Sequence, residues 1–145
     1  MQSVWVDEFF SKLHVAYLKP RGFTKTRRTF SRDRGSYFER FNFQGSSWNS
    51  SSQEAWRFYL NAGVEFDDIP PDVDNRGFPK THVYGRVNDF LNGCKSEFDL
   101  RESNHAELYP ILVDLLENVS HSIAERLATL RAAARKGQTL WYDPA

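Results

Sequence analysis

The sequence predicts a two-layer α+β domain, an antiparallel sheet of about five strands with an N-terminal helix and a long C-terminal helix on one face. Three observations carry this. Residues 55–66 alternate almost without a break, with Trp56, Phe58, Leu60, Ala62, Val64 and Phe66 on one face and Arg57, Tyr59, Asn61, Gly63 and Glu65 on the other, the period of a strand covered on one side. Apolar residues recur at helical spacing near both ends of the chain. The segments between read as further strands joined by turn chemistry. At 145 residues, one domain with one core is expected over 1–145.

In order, Ser3 is a candidate N-cap, with Asp7 and Glu8 suited to the positive helix end. Trp5, Phe9, Leu13 and Ala16 or Tyr17, with Phe10 beside them, form a stripe that Pro20 and Gly22 stop after Leu18. A hairpin is expected next: a strand over 26–32, a turn at Asp33-Arg34-Gly35-Ser36, and a strand over 37–44. That second strand sets Tyr37, Phe41 and Phe43 against Phe38, Arg40, Asn42 and Gln44. Serine-rich residues 45–53 read as a loop around Trp48. After the strand over 55–66, the prolines and acids of residues 67–77 predict a long surface loop.

Residues 81–91 resume an extended pattern, Val83 and Val87 facing one way and His82, Tyr84 and Arg86 the other. Asn92-Gly93 is a hairpin signal, because a type I′ turn needs positive φ at both positions. Cys94 to Leu100 is then the returning strand, with Cys94, Ser96, Phe98 and Leu100 inward. Asn104 with Glu107 suggests a capping pair, Pro110 requires a nearby helix start, and Leu112, Leu116, Val119, Ile123, Leu127, Leu130 and Ala134 mark one stripe. Arg131, Arg135 and Lys136 suit the negative end and Gly137 a C′ position, and Leu140-Trp141-Tyr142 is apolar enough to dock back. A straight helix from Pro110 to Lys136 runs about 40 Å, longer than a compact sheet is wide. It therefore either breaks near residues 118–122 or overhangs to pair with a second copy, which makes a homodimer an expectation.

Nineteen basic and nineteen acidic residues balance, so total charge points to neither nucleic acid nor membrane. The single cysteine, Cys94, excludes an intramolecular disulfide and multi-cysteine metal patterns, and a reducing, cytoplasmic setting is expected. The first residues lack a basic leader and no apolar run approaches membrane-spanning length, so the Asn49 and Asn118 sequons read as chance.

The order of the first helix, Lys19-Pro20-Arg21-Gly22-Phe23, Arg28-Thr29-Phe30 with Arg32, Phe43-Gln44, Phe58-Tyr59-Leu60-Asn61-Ala62-Gly63-Val64 and the strand from His82 to Arg86 resembles bacterial proteins catalogued as domain-of-unknown-function family 4304. The resemblance implies a small α+β domain, with Gly22, Phe23, Phe30, Gln44, Asn61, Gly63 and Val64 as motif positions. It implies no activity, catalytic residue or cofactor.

Three functional expectations follow. The first is a non-catalytic binding module, of immunity or adaptor type, presenting the second sheet face to a protein or small-molecule ligand through Arg40, Asn42, Gln44, Arg57, Tyr59, Asn61, His82 and Arg86. Its bland counterpart is an ordinary solvated sheet face. The second is nucleic-acid binding by Lys25, Arg27, Arg28, Arg32 and Arg34, within residues 19–40 where positive charge exceeds negative by six and aromatic rings are interleaved. Its counterpart is a charged edge hairpin balanced by the acidic loop. The third is an enzyme centred on His82, or on His105 with Glu107, with Cys94 as nucleophile. No diagnostic motif supports it, no metal site or cofactor is expected, and Cys94 reads as a small inward residue.

Overall fold

The sheet is built outward from its longest strand. The computed structural model describes residues 4–46, 49, 55–69 and 82–135. The strands are β1 (Thr24–Thr26), β2 (Thr29–Asp33), β3 (Tyr37–Gly45), β4 (Ala55–Phe66), β5 (Val83–Arg86) and β6 (Glu97–Arg101). All pairings are antiparallel, in the order β1-β2-β3-β4-β5, with β6 also on β4. β4 spans 12 residues, and Phe58, Leu60, Ala62, Val64 and Phe66 are buried on its core face.

Three strand expectations need correction. The strand expected over 26–32 is two strands joined by Arg27-Arg28, with Thr26 paired to Thr29 and Arg27 at φ +57°. The strand expected over 81–91 is extended only at Val83–Arg86 and turns into a short helix, α2 (Val87–Phe90). Asn92-Gly93 does turn the chain, but it closes no hairpin, because β5 and β6 pair with β4 instead of each other. They lie end to end on one edge of β4. β5 is paired to positions 61–64 and β6 to positions 55–59, with residues 87–96 looping out between them. The reason is at the loop's two ends. The Asp89 carboxylate accepts the Arg86 N–H at 3.1 Å and starts the helical turn, while the Leu60 N–H reaches across to Ser96 at 2.8 Å and restarts the ladder. Gly85 is required there, since a Cβ would collide with the Asp89 carboxylate.

The helices cover the core face. α1 (Val4–Leu13) runs through a π turn (His14–Leu18) and a 3₁₀ turn (Lys19–Arg21) to Gly22 at φ +92°, so Pro20 and Gly22 end the element as the sequence predicts. Val6, Phe9, Phe10, Leu13, Tyr17 and Leu18 are buried. Phe10 fastens this helix to the sheet, its centroid 4.9 Å from Phe43 and 5.7 Å from Phe58. Aromatic pairs of this kind add about 0.5–1.5 kcal/mol beyond area burial.

α3 (His105–Glu125) buries Leu108, Leu112, Leu115, Leu116, Val119 and Ile123. The expected Asn104 cap takes another form. The Asn104 side chain is turned to the end of β6, accepting the Arg101 N–H at 2.7 Å and donating to the Asp99 carbonyl at 2.9 Å. The long helix breaks, as one of the two expected alternatives holds, though at Arg126. There the Arg126 and Ser122 side chains bond the Phe90 carbonyl at the end of α2. α4 (Leu127–Arg135) then folds onto the end of β4, where Leu130 and Ala134 are buried and Arg131 pairs with Asp68 while lying over Phe66. The straight overhang that motivated a homodimer is therefore not formed among the described residues. Ser3, Trp48, residues 70–81, Lys136, Gly137 and the apolar 140–142 lie outside the described residues.

At the surface where the first helix meets α3, the Tyr17 hydroxyl donates to Glu117 at 2.7 Å and Arg21 reaches the same oxygen at 2.9 Å. The Tyr17 hydrogen bond first, and Arg21 with it, holds the Glu117 carboxyl below its ordinary value. A carboxyl lowered by folding contributes stability above its unfolded pKa and loses it as pH falls through the folded value. Glu117→Gln is therefore expected to lower the urea midpoint at pH 7, with the difference from wild type shrinking as pH falls through the ordinary carboxyl range and lost below the lowered folded value. A difference independent of pH would show that packing rather than ionisation carries the effect.

Candidate functional site

Register brings one row of polar side chains straight across the second face of the sheet. Thr29 is opposite Asn42, Asn42 opposite Asn61, and Asn61 opposite Arg86, so β2, β3, β4 and β5 each contribute one member. The side chains bond in the same sequence. Asn42 Nδ2 donates to Thr29 Oγ1 at 2.9 Å, Asn61 Nδ2 to Asn42 Oδ1 at 3.1 Å, and Arg86 Nη1 to Asn61 Oδ1 at 2.6 Å. Gln44 joins from the neighbouring position of β3, its Oε1 accepting Asn61 Nδ2 and Arg86 Nη1, each at 2.9 Å.

Asn61 is the hub and is 0% exposed. An amide in a strand interior runs against local preference, and burial without partners would cost on the order of 1–3 kcal/mol. Here its nitrogen donates to two amide oxygens and its oxygen takes a guanidinium. The charged donor also fixes which end of the amide is oxygen. Tyr84 hydrogen bonds to Asn61 as well, and burial pushes its hydroxyl up to about 12, so it is neutral at physiological pH. Arg86 lies 4.3 Å over the Tyr59 ring, which holds the guanidinium in the plane of the row.

Of the eight residues expected on this face, Asn42, Gln44, Tyr59, Asn61 and Arg86 form one connected group. Arg40 lies beside it, paired with Glu65 at 3.4 Å and over Phe38. Arg57 stands apart near the β6 end, bound to Asp99 at 2.9 Å. That bond raises the Arg57 pKa and lowers that of Asp99. His82 departs from expectation. It is 2% exposed, accepts the Phe66 N–H at Nδ1 and contacts the Ile69 carbonyl through Nε2, so its ring ties the end of β4 to the following turn. Sequence reasoning missed Thr29, because only the β2–β3 register reveals that it starts the row.

The basic residues considered for nucleic acid differ in their partners and exposure. Arg28 pairs with Asp7 and lies over Phe10. Arg32 is committed to buried Glu39. Arg34 bonds Tyr37, which raises its pKa, while Lys25 and Arg27 are exposed at the β1–β2 hairpin. For the catalytic candidates, His105 and Glu107 are exposed in the first turn of α3, and Cys94 is half-buried with its thiol pushed up by burial. Among the described residues no group of three or more His, Cys, Asp or Glu is arranged to hold a metal ion. No described helix is long and apolar enough to cross a membrane.

A family model described as "Domain of unknown function (DUF4304)" matches residues 14–128, a span that contains the whole row. No curated protein and no solved structure matches the chain.

Proposed function

The chain belongs to the DUF4304 family of domains of unknown function, and from that premise we propose that it is a non-catalytic binding module whose second sheet face contacts a protein or small-molecule ligand. The observation that carries this reading is the row from Thr29 to Arg86, in which a fully buried amide and a stacked guanidinium are held in one geometry before any ligand arrives. Preorganised polar groups spend little conformational entropy on binding. Amides and a guanidinium supply directional donors and acceptors, which is the chemistry of recognition. Gln44 is the exposed member, with Arg86 and Tyr59 half-buried behind it, so contact with a partner is made first at this end of the row. A cytoplasmic bacterial adaptor or immunity role suits a small domain that acts by occupying another molecule.

The test compares affinity capture from native-host lysate by wild type, by Gln44→Lys and by Lys19→Glu, which alters an exposed residue away from the row. A specific partner is expected to be retained by wild type and Lys19→Glu and reduced by about tenfold or more on Gln44→Lys, which sets a second cation beside Arg86. Equal retention by all three removes the sheet face as the site. Material released by nuclease would move the exposed Lys25 and Arg27 hairpin to first place.

A further inference from the structure

Among the described strands β1 is the outermost at its edge of the sheet, paired to β2 alone. The first helix runs beside β2 in the same direction: Asp7 holds Arg28 at 2.7 Å, the His14 ring lies 5.6 Å from that of Phe30, and the Arg21 carbonyl accepts Arg32 at 3.2 Å. Lys25 of β1 is directly opposite Phe30, so its side chain leaves the same face of the sheet, beside His14. The Lys19 N–H bonds the His14 carbonyl, which sets Lys19 one turn beyond the ring. Lys19, then His14 with Lys25, then Arg27 therefore follow one another along this edge. His14 is half-buried and the other three are exposed. Among the described residues none of these four side chains is paired with a carboxylate, whereas Arg21, Arg28 and Arg32 beside them hold Glu117, Asp7 and Glu39.

We infer that this edge binds single-stranded nucleic acid, with Lys19, Lys25 and Arg27 on its phosphates and a base stacked on His14. A lysine on an edge strand by itself only discourages sheet-to-sheet pairing. That accounts for Lys25, but not for the unneutralised groups that the helix brings to the same place. The middle of the row separates nucleic acid from an acidic peptide. Burial first, then Lys25 and Lys19, hold the His14 imidazole below its ordinary value, so at neutral pH the ring is largely uncharged between its cationic neighbours. A flat uncharged ring flanked by cations combines a stacking platform with phosphate contacts, as single-strand sites do, and histidine is among the rings on which unpaired bases stack. A carboxylate gains little from such a ring. Duplex bases already stack on one another, and the three residues of β1 span only about 10 Å, room for a few nucleotides. This edge is the opposite end of the sheet from β5, and the inference stands independently of the function proposed for the polar row.

The test follows the fluorescence anisotropy of a labelled ten-residue oligothymidylate between about 50 and 200 mM salt. Saturable binding is expected, with log Kd changing by about 0.7 per neutralised phosphate for each tenfold change in salt. Lys19→Gln/Lys25→Gln should bind about tenfold or more weakly, with a slope shallower by about 1.4. His14→Ala should bind about fivefold or more weakly at an unchanged slope, because it removes a ring and not a charge. Lys95→Gln, at an exposed lysine just before β6, should match wild type. Circular dichroism checks that each variant is folded. The inference is overturned if no saturable binding is seen at the lower salt, if the double variant keeps the wild-type affinity and slope, if Lys95→Gln weakens binding as much, or if His14→Ala changes nothing. A polyglutamate peptide or a duplex of the same length that competes as well as the single strand would also overturn it, the peptide by identifying a site for acidic protein.

Discussion

Arg32→Met should destabilise the fold by about 3–5 kcal/mol, among the largest losses expected from any single replacement here, because it strands a buried charge. Glu39 lies on the core face of β3 between Tyr37 and Phe41 and is 0% exposed. Its Oε1 receives Arg32 Nε at 2.9 Å and Nη2 at 2.7 Å, while Oε2 is buried with no hydrogen-bond partner among the described residues. Arg32 also donates to the Arg21 carbonyl at 3.2 Å and to Ser120 at 3.4 Å, and lies 4.4 Å over the Phe23 ring. The pair thus joins β2 and β3 to the end of the first helix and to α3. Replacing both charges, Arg32→Met with Glu39→Leu, should recover most of the loss, because a well-packed apolar pair of similar volume is commonly no worse than a buried ion pair. Urea unfolding of the two single variants and the double variant checks this. A loss below about 1 kcal/mol for Arg32→Met would mean that Glu39 finds water or another cation, and the buried-pair account would fail.

Asn61→Leu should cost about 2–4 kcal/mol, although leucine is close in size and better suited to a buried strand. The cost arises at the neighbours. Asn42 Oδ1 and Gln44 Oε1 each lose a donor, and Arg86 loses the Asn61 oxygen that it holds at 2.6 Å. Because the row is one network, a double-mutant cycle of Asn42→Ala with Asn61→Ala should show a coupling energy of about 0.5–3 kcal/mol. Strict additivity would mean that the bonds of the row act separately. The same argument makes Asn61 a poor probe of binding, since its loss disturbs the sheet itself, and Gln44 the better one.

The role of Asn61 was legible from sequence in part. Its residue type is wrong for a strand interior, which flags a side-chain hydrogen bond to a neighbouring strand, and Gln44 is flagged beside it. The partners are not legible, because opposite residues are set by register, and register across β2–β3–β4–β5 is not written in any single segment. His82 shows the same limit: alternation places it with Tyr84 and Arg86, yet its ring closes onto backbone at the end of β4. The Arg27-Arg28 turn escaped notice because neither residue carries the chemistry that usually marks positive φ.

By itself the sequence determined the period of β4, the apolar stripes of the first and last helices, the stop at Pro20 and Gly22, and hence an antiparallel sheet covered on one face. These are local properties, set by spacing along one segment and by the backbone freedom of single residues. Tertiary structure alone decided that β5 and β6 share one edge of β4, that the last helix breaks at Arg126 and returns, that Glu39 is buried against Arg32, and that Thr29, Asn42, Asn61 and Arg86 fall in one line. Each of these depends on contacts between residues far apart in the chain, where burial and satisfied polar groups outweigh what either segment prefers alone.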